Sequence, residues 1–221
     1  MNSQYSFDLP FPDIFLNFIK SVLEITTFYR EIMHPALKKH LGGKITLTSE
    51  QEELVNSCFK PLSAKRNEIL VHKGDIARHL YLIVKGCLRI FLINEDGSES
   101  TRFLIFDGQM GTAFPSFILK KPSVASVQSL GPSELLTLSY TDRQTLFNKV
   151  PGWETMYRIV LEQAYIESIQ RIESLISMDA KARYKILLHD QPQLIQRLPS
   201  RIVADYLGIS QETLSRLKAK K

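Results

Sequence analysis

The chain has 221 residues, 44% apolar and 23% charged, proportions of an ordinary globular protein long enough for one large domain or two small ones. No apolar run reaches the ~20 residues of a membrane span; residues 11–33 come nearest but are broken by Lys20, Glu24, Arg30 and Glu31, without the basic start or cleavage site of a signal peptide. Two cysteines, Cys58 and Cys87, are too few for a cysteine-held cluster, so free thiols in a reducing cytoplasm are expected, with no cofactor, metal or membrane partner.

Residues up to about 49 read as helical. Ile14, Phe15, Phe18, Ile19, Val22, Ile25, Tyr29 and Ile32 follow a helix period. Gly42 and Gly43 end a second short helix that starts near His34. Thr48, with Gln51 three residues on, has the form of a capping box ahead of Leu54, Val55 and Phe59. From residue 59 to about 138 the character changes. Short runs at 67–71, 79–84, 87–93, 101–106, 124–130 and 134–138 are rich in aliphatic and β-branched residues, and Gly74, Gly86, Gly97 and Gly131 with Pro132 mark turns between them. Such spacing predicts an antiparallel sandwich or barrel. Residues 141–150 then form a short helix stopped by Pro151 and Gly152, and a long helix covers 153–177. Met156, Val160, Ala164 and Ser168, four residues apart, make a candidate helix–helix seam on it. A core helix of a monomer is the alternative. Asp179 fits an N-cap for a helix at 180–189, and Pro192 marks a turn.

The last two dozen residues say most about function. Val203, Ala204 and Leu207 share one helical face, and Leu214 and Leu217 share another. Between them lies Gly208, the residue type that takes a left-handed conformation at a helix end at least cost. Ser210 can cap the second helix. Two short helices crossing at a glycine form a helix-turn-helix, whose second member enters the DNA major groove. Charge agrees. Residues 180–221 hold nine Lys and Arg against three Asp and Glu, a local +6 in a chain of net +5. Concentrated basic charge suits phosphate contacts. On the second helix, Gln211 can pair with adenine, Glu212 can accept from cytosine and Arg216 can grip guanine. Ser215 and Lys218 complete that surface. Ser210 and Thr213 touch phosphate or cap the helix, and Ser200 and Arg201 open the first helix near the backbone. Glu212 and Arg216 are equally spaced as an i,i+4 pair. Val203, Leu207, Ile209, Leu214 and Leu217 are expected to be core.

This order of parts resembles the Crp/Fnr family of bacterial transcription regulators. Leu80 to Phe91 (LYLIVKGCLRIF), Glu95 to Glu99 (EDGSE) and Leu207 to Leu217 (LGISQETLSRL) carry the resemblance, which runs from about residue 33 to the end. Arg197, Leu198, Pro199 and Ser200 look like a subgroup common in Bacteroidetes. The resemblance implies an α+β fold: a β-barrel or jelly-roll sensor of the cyclic-nucleotide-binding type, a long dimerisation helix and a helix-turn-helix. Boundaries follow at 1–43 for extra N-terminal helices, 44–150 for the sensor, 151–178 for the long helix and 179–221 for the DNA-binding part. Residues 1–32 are either an added partner-binding helix or an upstream reading, with Met33 as the working start. The chain ends after the second helix, without the family's β-hairpin wing, so Arg216, Lys218, Lys220 and Lys221 would supply the phosphate contacts there.

The family's cyclic-nucleotide binders hold the ribose with a Glu after a Gly, and the phosphate with an Arg beside a Ser. The matching positions here are Gly111 followed by Thr112, and Pro122 beside Ser123. Thr accepts more weakly than an anion, and Pro offers no donor. Lys121 is a point charge rather than a fork. Cyclic AMP is therefore not expected as a tight ligand, and the sensor takes another small-molecule effector or none. Ser168 matches a family position that faces the ligand across the dimer, or is simply a small residue between packed helices. The resemblance thus implies a cytoplasmic homodimer that binds double-stranded DNA, not an enzyme. Two alternatives stand beside it: a sensor or protein-interaction module that does not touch DNA, and a cupin-like metal barrel, for which only His72 and His79 present themselves.

Overall fold

The computed structural model describes residues 33–219. The helix expected from Ile14 to Ile32 lies outside the described residues, as do Lys220 and Lys221. Helix α1 (Pro35–Leu41) starts on a proline at its first turn, where the missing N–H is harmless. Helix α2 (Ser49–Cys58) opens on the capping box of Thr48 and Gln51. Eight strands follow: β1 (Phe59–Ala64), β2 (Ile69–Val71), β3 (His79–Lys85), β4 (Cys87–Ile93), β5 (Glu99–Phe106), β6 (Met110–Gly111), β7 (Ala125–Ser129) and β8 (Ser133–Ser139). Helix α3 (Phe114–Leu119) interrupts them, and α4 (Tyr140–Lys149) and α5 (Trp153–Ser177) complete the first half of the chain's architecture.

The strands form two four-stranded antiparallel sheets, β1-β8-β3-β6 and β2-β7-β4-β5. The expected alternative of a closed barrel is not met: this is the two-sheet jelly-roll. Leu82, Ile83, Leu135 and Leu136 of one sheet and Leu88, Ile90, Ile105 and Val127 of the other share a single core. Gly86 carries the chain from the first sheet to the second at φ +125°, and a Cβ there would fall 2.2 Å from Ser133 Oγ, so only glycine fits. Strand β1, with Pro61 inside it, pairs on one side only, with β8; an edge tolerates the missing donor. The run expected at 67–71 shortens to Ile69–Val71 because Asn67 turns into the left-handed region at φ 64°.

Helix α5 begins inside the sensor core, with Trp153, Met156 and Tyr157 buried. Beyond Leu161 it leaves that core, and Tyr165, Ile166, Ile172 and Ile176 stand exposed. The expected seam therefore needs correction. Met156 and Val160 pack on the sensor, and only Ala164 and Ser168 of that stripe lie past it. The exposed apolar face runs through Ile159, Ile166, Tyr165, Ile172 and Ile176 instead.

Four short helices close the chain: α6 (Ala180–Asp190), α7 (Pro192–Arg197), α8 (Ser200–Leu207) and α9 (Gln211–Ala219). Asp179 caps α6 through Ala182 N at 2.7 Å. Pro192 starts a helix rather than a turn, because its fixed φ suits a first helical position. These helices form a second core of Tyr184, Leu187, Leu194, Leu198, Ile202, Val203, Leu207 and Leu214. Cys87, Leu104, Phe106 and Leu130 from the sensor join it. Strand β4 is thus buried on both faces.

Candidate nucleic-acid interface

Helix α8 turns Ile202, Val203, Ala204 and Leu207 inward, and it ends at Gly208, φ 66°. Two bonds close that end: Gly208 N–H to Asp205 O and Ile209 N–H to Ala204 O, both 3.0 Å. This pairing is the Schellman motif. Ser210 accepts from Thr213 N at 3.1 Å and so caps α9. Leu214, 1% exposed, fixes α9 against α8, with Leu217 and Ile209 half-buried beside it. All five expected core residues thus point inward.

What remains of α9 faces out. Ser210, Gln211, Glu212, Ser215 and Arg216 are exposed, while Thr213 and Lys218 are half-buried. Arg216 and Glu212 approach only to 4.0 Å with both side chains largely in solvent, a pair too loose to hold either. Lys218 Nζ donates to Ser200 Oγ at 3.0 Å, joining the end of α9 to the start of α8. Ser200 and Arg201 are both exposed. The expected polar residues of α9 and of the start of α8 are thus exposed or half-buried, and the Lys218–Ser200 bond brings the two helices together there.

The back of this unit is tied to the sensor by charged groups that sequence reasoning did not single out. Asp205 accepts from Thr101 N at 2.8 Å and from the Thr101 hydroxyl. Arg171, on α5, donates to Arg102 O at 3.0 Å, Thr101 O at 3.2 Å and Tyr206 O at 2.7 Å, and it lies over the Tyr206 ring. Burial pulls its guanidinium below the ordinary arginine range, partly offset by Tyr206 and Asp205. Arg197 reaches Asp107 Oδ2 at 3.1 Å and Gly86 O at 3.2 Å, while Arg183, within the helical unit itself, reaches Leu207 O at 3.0 Å. Each partner pair in this joint except that of Arg183 spans more than 30 residues of sequence, so no local pattern reveals it.

Of the positions expected at a ligand pocket, Ser123 and Ser168 bond to nearby backbone carbonyls, whereas the Thr112 hydroxyl is left unpaired among the described residues. Gly111 pairs with Tyr81 across β3 and β6, and a Cβ on it would fall 2.1 Å from Ile105 Cδ1. Ile105 therefore occupies the space beside the glycine. Thr112 is 2% exposed, and its hydroxyl has no hydrogen-bond partner among the described residues. Ser123 Oγ donates to Ala125 O at 2.7 Å, and Ser168 Oγ donates to Ala164 O at 2.7 Å. Two open clefts lie elsewhere. One of about 330 Å³ sits between the β4–β5 hairpin and α8; another of about 310 Å³ lies at α6 and α7. Among the described residues no group of three or more His, Cys, Asp or Glu side chains could hold a metal, and no helix is long and apolar enough to cross a membrane. Burial raises the Cys87 thiol to about 12, which makes it an unreactive core group.

Comparison with known proteins agrees with this architecture. Residues 61–149 match the cyclic nucleotide-binding domain. The regulatory protein HlyX of Actinobacillus pleuropneumoniae is 22% identical over 179 residues, 76% of this chain and 74% of that protein. Among solved structures, the c-di-GMP responsive global regulator CLP of Xanthomonas campestris is similar at TM-score 0.64 and 19% identity, covering 78% of this chain and 91% of the other. A CooA mutant of Carboxydothermus hydrogenoformans gives TM-score 0.64 at 17% identity, covering 86% of each chain. The catabolite activator protein of Thermus thermophilus gives 0.52 at 23%, covering 82% and 85%.

Proposed function

We infer that this chain is a member of the Crp/Fnr family, a reading supported by its cyclic nucleotide-binding domain and its architecture, and that it regulates transcription by binding specific duplex DNA as a cytoplasmic homodimer. One observation carries the reading. The polar face of α9 is turned to solvent while its apolar face is sealed against α8. Gln211, Glu212, Ser215 and Arg216 are then the base-reading residues, and Ser200, Arg201, Ser210, Thr213 and Lys218 the backbone contacts. The exposed apolar face of α5 supports the dimer, since two recognition helices must lie about 34 Å apart to read successive turns of DNA. The sensor reads something other than cyclic AMP, or responds without a ligand. Thr112 and Pro122 support this, because they replace the anionic acceptor and the phosphate donor of the family's cyclic-nucleotide binders.

Selection from a random duplex library, followed by titration of the selected site at two salt concentrations, tests the reading. The expected outcome is a site with two-fold symmetry, bound with an affinity that falls steeply as salt rises. Arg216→Ala should weaken the selected site by about 10- to 100-fold and relax preference at one base pair per half-site. Enrichment of no sequence, with no dependence on salt, would leave a sensor module that does not touch DNA.

A further inference from the structure

The β4–β5 hairpin is acidic, carrying Glu95, Asp96 and Glu99, and it lies beside the start of α8. Glu99 is anchored there. Arg89, 2% exposed, donates to it at 2.5 Å and to Gln128 Oε1 at 2.7 Å. The same oxygen, Oε2, also accepts from Arg201 Nη2 at 3.5 Å. Glu99 is therefore fixed from below by a buried partner, while Arg201, with 63% of its side chain in solvent, is free to leave. The first turn of α8 has no side-chain cap, so its N–H groups and the Arg201 guanidinium together offer what a backbone phosphate binds. The cavity of about 330 Å³ between hairpin and helix is lined by Glu99 and Arg201 together, so the pair borders open space.

We propose that the hairpin is an electrostatic brake on DNA binding, in which Glu99 and a DNA phosphate compete for Arg201. The proposal rests on the DNA-binding reading above. An exposed ion pair of this kind is weak, so the brake is a modest one, set by the sensor strand that carries Glu99. Movement of β5 relative to α8 would strengthen or release it.

The test uses the full chain and fluorescence anisotropy on the selected duplex and a scrambled one. Variants are Glu99→Gln, which keeps an acceptor for Arg89, and Glu95→Gln, which makes the same charge change on the same hairpin away from Arg201. Both are made again with Arg201→Ala. The expected result is that Glu99→Gln tightens binding about two- to fivefold beyond Glu95→Gln, and that this excess vanishes without Arg201. Equal gains from the two glutamates, or a gain that survives Arg201→Ala, would overturn the brake while leaving DNA binding intact. Absence of binding by the wild type and every variant would overturn the DNA-binding reading and the brake with it. Should Glu99→Gln lower the thermal midpoint, Glu99→Asp serves instead. It keeps the carboxylate charge but draws it back from Arg201, and any gain in binding should show the same dependence on Arg201.

Discussion

Gly208 stands where α8, the first of the two crossed helices, must stop, at φ 66°, and a Cβ on it would meet Leu175 Cδ2 at 3.3 Å. Two demands fall on one residue. The left-handed backbone costs an L side chain about 1 kcal/mol, and the long helix approaches too closely for an easy fit. The sequence showed the first demand through the pattern around Gly208. It could not show the second, because Leu175 is remote in the chain. Gly208→Ala should lower stability by about 1–2 kcal/mol and the thermal midpoint by a few degrees. It should also weaken DNA binding, since the Schellman closure orients Ile209 and, through it, α9. A circular dichroism melt of the variant checks this; an unchanged midpoint would mean that the turn does not hold this conformation.

At the scale of elements, what was legible depended on length and on neighbours. The helix at Trp153–Ser177, the strand at Cys87–Ile93 and the capping box at Thr48 all follow local pattern and stand as expected. Helix α3 has six residues and one proline, too short for a period to show. Strand β1 hides behind Pro61. The long helix shows the limit most clearly. It carries apolar residues on several sides, and periodicity cannot say which side meets the protein's own core. Small residues suggested Ala164 and Ser168, with Met156 and Val160, as the seam, but the sensor claims the first two turns. The uncovered residues are Ile159, Tyr165, Ile166, Ile172 and Ile176, the last with 81% of its surface in solvent. Buried between two copies, each isoleucine would contribute about 1.5–3 kcal/mol. Ile172→Glu combined with Ile176→Glu should therefore weaken self-association at least a hundredfold. Sedimentation velocity should show a dimer for the parent and a monomer for the double variant, with helix content unchanged. A doubly substituted chain that still sediments as a dimer would place the contact elsewhere.

Across the whole molecule, two cores are joined face to face. The first core lies between the two sheets, and the C-terminal helices pack on the outer side of β4 and β5 through Cys87, Leu104 and Phe106. Arg171 and Asp205 pin that joint with bonds to Thr101, Arg102 and Tyr206. Such a connection makes the two parts stabilise one another, and any strain felt by β5 is passed directly to α8. It also sets how the chain should unfold. Each bond contributes about 1 kcal/mol net, and more where a charge takes part, so the joint can couple a small helical unit to a larger sandwich. Calorimetry of the parent should give one cooperative transition. With Arg171→Met and Asp205→Asn together, the guanidinium and the carboxylate charge are both removed while side-chain bulk is largely kept. The helices from α6 to α9 should then melt first, as a separate, smaller peak at lower temperature. Its enthalpy should be on the order of 30 kcal/mol, as a unit of roughly 40 residues requires. A single unaltered peak in the double variant would show that apolar packing at Cys87, Leu104 and Phe106 alone couples the two parts, and that the charged joint orients the reader without transmitting stability.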